Sequence, residues 1–363
     1  MSRPPCQPLL IAAACLVMVA AAASVIAAGP AGASRGTLIV LNKGEATASL
    51  IDLASGEVVA ALKTGEGPHE AAVSPDGRLA VASNYGTRDA PGSTLTVIDV
   101  PGARVTRTID LGEHRRPHGI AFLPDGGRVA VTAEQSRALL IVDVASGSVE
   151  SAIDTDQEVS HMVVVSPDGK RAYVANIGSG SMTAIDLQTR SRLRTLRTGA
   201  GAEGIGLLPD GRTLWVTNRE ADTVSVIDTT ALEIVATLPS ASFPIRASAT
   251  ADGRWVLVSN ARSGALTVFD ARTRKEQRQV PMSLEAAGTE GRLFGGQFGK
   301  SPVPIGILMH PDGKLAYVAN ANADVVAVVD LAKWIVTGTL RAGREPDGMA
   351  YSPLRVTQRR APS

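Results

Sequence analysis

The chain has 363 residues, 44% hydrophobic, 20% charged and only 3% aromatic, with 36 glycines and 21 prolines. The apolar share is ample for a core. The balance of 36 basic against 35 acidic residues excludes the basic excess of a nucleic-acid-binding domain or a polybasic membrane surface. Many turn formers and few aromatics point to an all-β fold.

Arg3 is followed by an apolar run from Leu9 to Ala28, and Ala31-Gly32-Ala33 precedes Ser34. A basic start, an apolar run and a small-x-small site predict a secretory signal over residues 1–33, hence a periplasmic or secreted protein. The run is also long enough to stay as an N-terminal anchor; with cleavage no stable membrane span remains. Cys6 and Cys15 both fall in this segment. The mature chain would then hold no thiol, which excludes disulfides, thiolate metal sites and cysteine nucleophiles.

Beyond residue 34 the chain repeats itself. Pro75-Asp76-Gly77 recurs at Asp125, Asp168, Asp210, Asp252 (with Ala251 for proline) and Asp312, spaced 49, 43, 42, 42 and 60 residues apart. Ser352-Pro353-Leu354 is a degenerate last copy. A second series closes apolar runs at Asp52, Asp99, Asp143, Asp186, Asp228, Asp270 and Asp330, in the same phase. Each unit reads as four short strands, here named a to d. In one unit these are 118–123, 128–132, 138–144 and 148–153. Pro-Asp-Gly makes the a–b hairpin, because proline presets φ and glycine accepts positive φ. Ala-Ser-Gly makes the c–d hairpin, with the preceding aspartate able to cap it. Four-stranded units repeated seven times predict a seven-bladed β-propeller over residues 34–354. The chain enters on strands b, c and d (37–62) and ends on a lone strand a (346–351), which should complete the first blade. Residues 355–363, with Arg355, Arg359 and Arg360, read as a short disordered basic tail.

Tyr173-Val174-Ala175-Asn176, Trp215-Val216-Thr217-Asn218 and Tyr317-Val318-Ala319-Asn320 resemble the YVTN-type seven-bladed propeller repeat, in its bacterial exported branch. The resemblance implies the fold. Its wider relatives include lactonase-like propellers and those of nitrite and nitrous oxide reductases, so it leaves the function open.

In a propeller, strand a lines the central tunnel, and the d–a and b–c loops share one face, the mouth. The first ring position of strand a is His69, His118, His161, Glu203, Ile245, Ile305 and Asp347 in the seven units. Three of the chain's five histidines thus stand on consecutive blades beside two carboxylates. Such a set suits a divalent metal (Zn, Cu or Ca are the candidates) or general acids and bases. It equally suits imidazoles that only hydrogen-bond neighbouring loops. Arg246 is placed to contact an anion. Two irregular mouth loops stand out. Residues 84–93 carry Tyr85, Arg88 and Asp89; the insertion 281–303 carries Arg292, Phe294, Gln297, Phe298 and Lys300 and reads as a docking loop. The recurring strand-b asparagines read as turn formers, and Glu134 occupies that slot in the third unit.

No P-loop, dinucleotide fingerprint, nucleophile elbow, zincin helix or covalent-haem motif occurs. Two readings follow. One is a monomeric, non-enzymatic binding or scaffold protein that engages a protein or small ligand at the mouth, without nucleic acid and with no certain cofactor. The other is a metal-binding protein or metal-assisted hydrolase centred on the ring.

Overall fold

The computed structural model describes residues 35–357, apart from 289 and 293, together with Met1. Residues 2–34, which hold nearly all of the predicted signal segment with Cys6 and Cys15, and the tail end with Arg359 and Arg360, lie outside the described residues. The chain forms seven antiparallel sheets of four strands each. Each strand a packs beside that of the next blade, and the last returns to the first, which closes a ring. The first blade has the order Pro346–Ser352, Thr37–Asn42, Thr47–Asp52, Glu57–Lys63, so the C-terminal strand completes the N-terminal sheet. Closure removes the free edges that would otherwise invite pairing with another chain. The tail starts attached rather than loose: Arg355 pairs with Asp52 at 2.6 Å and Thr357 bonds Pro101. No helix among the described residues is long and apolar enough to cross a membrane.

The core lies between blades rather than within them. Leu38, Val40 and Ile51 of the first blade pack with Tyr317, Val326 and Val328 of the seventh. Val81, Leu95 and Val97 of the second pack with Val129, Leu140 and Val142 of the third. Strands alternate, so each sheet buries both faces against its two neighbours. At roughly 1.5–3 kcal/mol per buried aliphatic side chain, the stacked faces hold the ring. The outer strands, such as Arg104–Asp110 and Ser191–Arg197, expose charged and polar chains to water.

Polar side chains lock this frame in register. The turn aspartates cap as expected: Asp186 Oδ1 accepts from Gln188 and Thr189 N–H, and Asp76 Oδ1 accepts from Arg78 N–H. The strand-b asparagines do something else. Asn84 donates to Thr94 and Thr96 on strand c while its Oδ1 accepts from Gly65 N–H. Asn218 repeats the cross-strand pattern with Thr223 and Ser225. They are buried locks between strands and the d–a loop. The left-handed turn position falls on other residues, such as Ala46, Arg137 and Asp222. One residue earlier, a hydroxyl staples blade to blade. Ser83, Thr132, Thr217 and Ser259 donate to the carbonyls of His118, His161, Ile245 and Ile305 on the neighbouring strand a.

Candidate functional site

Before each strand a the chain passes through a left-handed residue: Gly67, Arg116, Val159, Gly201, Phe243, Val303 and Glu345, with φ between 55° and 71° in six of them and 56° at Gly67. For β-branched Val159 and Val303 this region is costly. The carbonyl of each accepts a hydrogen bond from the N–H of the residue after the strand-b asparagine slot of the same blade: Tyr85, Glu134, Ile177, Arg219, Ala261, Ala321 and, at the closure, Lys43. Fourteen side chains, two per blade, are thereby aimed by one repeated backbone device. They are the ring residues of strand a and the seven just named.

The pairing register corrects one placement. Pro117 faces Ala133, as Pro68 faces Asn84, so Ala133 holds the asparagine slot and Glu134 the position after it. That shift turns Glu134 from a strand lock into an axial side chain. All seven ring residues converge on a single funnel of about 370 Å³ with Lys43, Tyr85, Glu134, Ile177, Arg219, Arg246 and Phe294. Its two sides differ. Ile245, Ile305, Ala261, Ala321, Phe243 and Phe298 form an apolar wall, and the histidines and charges occupy the rest.

On the polar side the three imidazoles form a row. The ring centres of His69 and His118 are 4.9 Å apart, and those of His118 and His161 are 3.5 Å apart. Tyr85 covers His69 at 4.5 Å, and its hydroxyl donates to Glu134 at 2.5 Å. The other Glu134 oxygen meets His161 Nδ1 at 2.5 Å. Glu203 lies 3.5 Å from His161 Nε2 and accepts from Arg219 at 2.7 Å and from Arg246 at 3.1 Å. Arg246 also pairs with Glu70 at 2.7 Å, and Lys43 with Asp347 at 3.0 Å. Hence Arg246, read from sequence as an anion contact, has its guanidinium held by two carboxylates. Among the described residues, His118 Nδ1 and Asp347 Oδ1 are buried without a hydrogen-bond partner, while His161 Nε2 has the 3.5 Å approach of Glu203.

Burial and nearby charge set the protonation of this network. Burial, aided by the Lys43 charge, brings His69 down to about 3. Burial and the neighbouring His161 hold His118 well below its usual value. Burial opposes the charge on His161 too, but the hydrogen bonds of Glu134 and Glu203 overcome it and raise that group. Glu203 loses solvation on burial, yet Arg219 and His161 keep it below the carboxylate range. Burial pushes Glu70 up against the pull of Arg246. Asp347 is lowered by Lys43 despite burial.

The loops divide. Phe294 lines the funnel and Phe298 is buried against Phe243 at 4.8 Å. Arg292 anchors the insertion by two bonds to Asp324 and one to the Ala321 carbonyl. Gln297, Lys300, Arg88 and Asp89 are exposed and do not line the funnel. Lys43, Arg219 and Glu70 escaped the sequence reading. The first two could have been found by taking the residue after each strand-b asparagine.

Residues 125–291 match the family model of YNCE-like beta-propellers. The matched stretch covers the central blades, a little under half of the chain. No curated protein matches the sequence. Among solved structures, hydrazine synthase of Kuenenia stuttgartiensis superposes with a TM-score of 0.67 at 21% identity, covering 79% of this chain and 90% of that one. A functionally unknown protein from Desulfotomaculum acetoxidans gives 0.71 at 13%, over 87% of this chain and 99% of that one. Dihydro-heme d1 dehydrogenase NirN in complex with DHE gives 0.60 at 18%, over 84% of this chain and 63% of that one. At such identities the likeness establishes the seven-bladed fold, as the YVTN-type repeats implied, and leaves the site to be argued on its own residues.

Proposed function

We propose that this protein is an exported binding propeller that takes a small ligand into the axial funnel. The observation that carries the reading is the convergence of all seven ring positions on one cavity where His118 Nδ1 and Asp347 Oδ1 are buried and unpartnered. About 370 Å³ lies within the roughly 300–1,000 Å³ typical of small-molecule sites. The ligand's character follows from the lining. Lys43, Arg219 and Arg246 are each matched to carboxylates, so no cation stands free for an anionic ligand. His161 carries a proton that Glu134 and Glu203 favour from either side. The funnel therefore favours a ligand whose positive charge takes the place of that proton on the histidine side and whose apolar surface meets Phe294, Ile245 and Ile305. The exposed mouth-loop residues are scattered, which supports a small ligand over a docked protein.

The test is a thermal-shift screen of small organic cations with the wild type and Ile177→Trp. Ile177 lines the funnel yet is only half-buried, so tryptophan can fill the space without opening the core. A compound that raises the wild-type melting temperature and fails with Ile177→Trp is the expected result. A shift that is undiminished in the variant places the ligand elsewhere and refutes the reading.

A further inference from the structure

We propose that the histidine side of the funnel binds one divalent transition-metal ion, with His118, His161 and Glu134 as its protein ligands. This deepens the ligand reading above and rests on the funnel being the binding site. One donor atom from each of the three residues lies within 4.8 Å of the others, and all three residues are buried. His118 is 2% exposed, Glu134 7% and His161 8%. At such burial an unpartnered ring nitrogen is expensive, yet His118 Nδ1 is in that state. A bound cation satisfies a lone pair that no protein donor reaches.

The surroundings fit the same assignment. Metal-binding imidazoles must be neutral, and the carboxylates of Glu134 and Glu203 on either side of His161 favour a positive charge there, whether proton or ion. The Tyr85 hydroxyl on the second Glu134 oxygen orients that carboxylate, the outer-shell role that tunes metal sites. Arg219 and Arg246 fix Glu203 beside His161. The row of rings brings His69 next to His118. Two imidazoles and one carboxylate select the ion class. Calcium needs six to eight oxygen donors, which this side does not offer. Nitrogen-rich sets suit Zn, Cu, Ni or Co. The 2.5 Å His161–Glu134 contact now accommodates a single proton. An ion at about 2.0–2.1 Å from each donor takes the place of that proton, which leaves to solvent, and the two groups move apart by about 0.5–1 Å.

The experiment uses the purified protein stripped with a chelator and titrated separately with Co(II), Zn(II) and Ca(II), followed by calorimetry and by the visible absorption of Co(II). One Co(II) or Zn(II) per chain, nitrogen-ligated absorption and no Ca(II) binding are expected. His118→Ala should weaken the binding at least about 100-fold, and Tyr85→Phe about 10-fold. Glu134→Gln preserves volume and hydrogen bonding, so it tests the carboxylate should the alanine variant fold poorly. Absence of Co(II) and Zn(II) binding, or weak binding that is equal in all variants, overturns the metal assignment. If organic cations are still blocked by Ile177→Trp in that case, the funnel remains the ligand site. Conversely, stoichiometric metal lost in His118→Ala, with no organic ligand blocked by Ile177→Trp, supports the metal assignment and makes the ion itself the funnel's ligand.

Discussion

Replacing Thr132 with valine removes one oxygen and leaves the side-chain shape intact, which isolates the blade-to-blade staple. Thr132 is fully buried; its Oγ1 accepts from Gly119 N–H at 2.9 Å and donates to the His161 carbonyl at 2.6 Å on the next blade. The valine methyl fills the same volume, so no cavity term enters. The Gly119 N–H and the His161 carbonyl lose their partner in a dry interface. At about 1–3 kcal/mol for each of the two stranded groups, less about 1 kcal/mol for the added apolar methyl, the net loss is about 1–5 kcal/mol. For a ring of roughly 320 residues the unfolding entropy is about 0.7 kcal/mol/K, so the melting temperature should fall by about 1.5–7 °C. Urea unfolding followed by circular dichroism measures the free energy directly, and an unchanged m-value would show that the denatured state is unaffected. Since the staple also fixes the backbone of His161, the funnel's ligand should bind more weakly in the variant. A loss below about 0.5 kcal/mol would refute the reasoning, for it would mean that both backbone groups find other partners.

Three further outcomes can be checked. Ending the chain before Pro346 removes the strand that completes the first blade; the expected result is loss of cooperative unfolding and rapid proteolysis of the whole ring, whereas removing only residues 358–363 should change neither. The turn aspartates Asp76, Asp168, Asp186 and Asp228 are depressed below their ordinary value, each by hydrogen bonds that its carboxylate accepts at the turn. A depressed carboxylate contributes stability that is present above its unfolded value near 3.8 and lost as pH falls through the folded value. Stability should therefore decline as pH falls below about 4, and Asp186→Asn should flatten that decline in urea titrations at a series of pH values. Finally, Arg292→Ala removes the bidentate clamp on Asp324; limited proteolysis should then cut within 282–303 several-fold faster while the melting temperature of the ring moves by less than about 2 °C, about 1 kcal/mol on the entropy scale above.

The frame was legible because its signals are local. Pro-Asp-Gly at Asp76 or Asp168 dictates a turn by its own φ preferences and its own cap, so phase and blade number follow by counting. Tunnel-lining positions could be assigned for the same reason, since strand periodicity places His69, His118 and His161 at equivalent points. What the sequence hides is reach and pairing. Glu70 points one residue past the ring, yet its carboxylate meets Arg246 from the blade four positions away. Nothing near Glu70 in sequence signals that partner. Glu134 was misplaced by one residue because Ala133 removes the asparagine that marks the slot in the other blades. The asparagines themselves were legible as structural but not in kind, because their partners at Thr94 or Ser225 lie across a strand pair rather than in the turn.

The funnel shows how a repetitive fold makes a site with no symmetry. Seven left-handed residues, from Gly67 to Glu345, give their carbonyls to the same kind of backbone bond. The position of each axial side chain is therefore independent of what that side chain is. A substitution at Lys43, Ile177 or Ala321 changes the chemistry of the funnel without changing how the backbone is held. This separation explains why the polar network can concentrate on the blades bearing Lys43, Tyr85, Glu134, His161 and Arg219 while Ala261 and Ala321 leave room for Phe298 on the other side. It also explains why fold likeness to hydrazine synthase or to NirN at about one-fifth identity says little about chemistry. A shared frame fixes where such positions lie, and the chemistry rests on the side chains that occupy them.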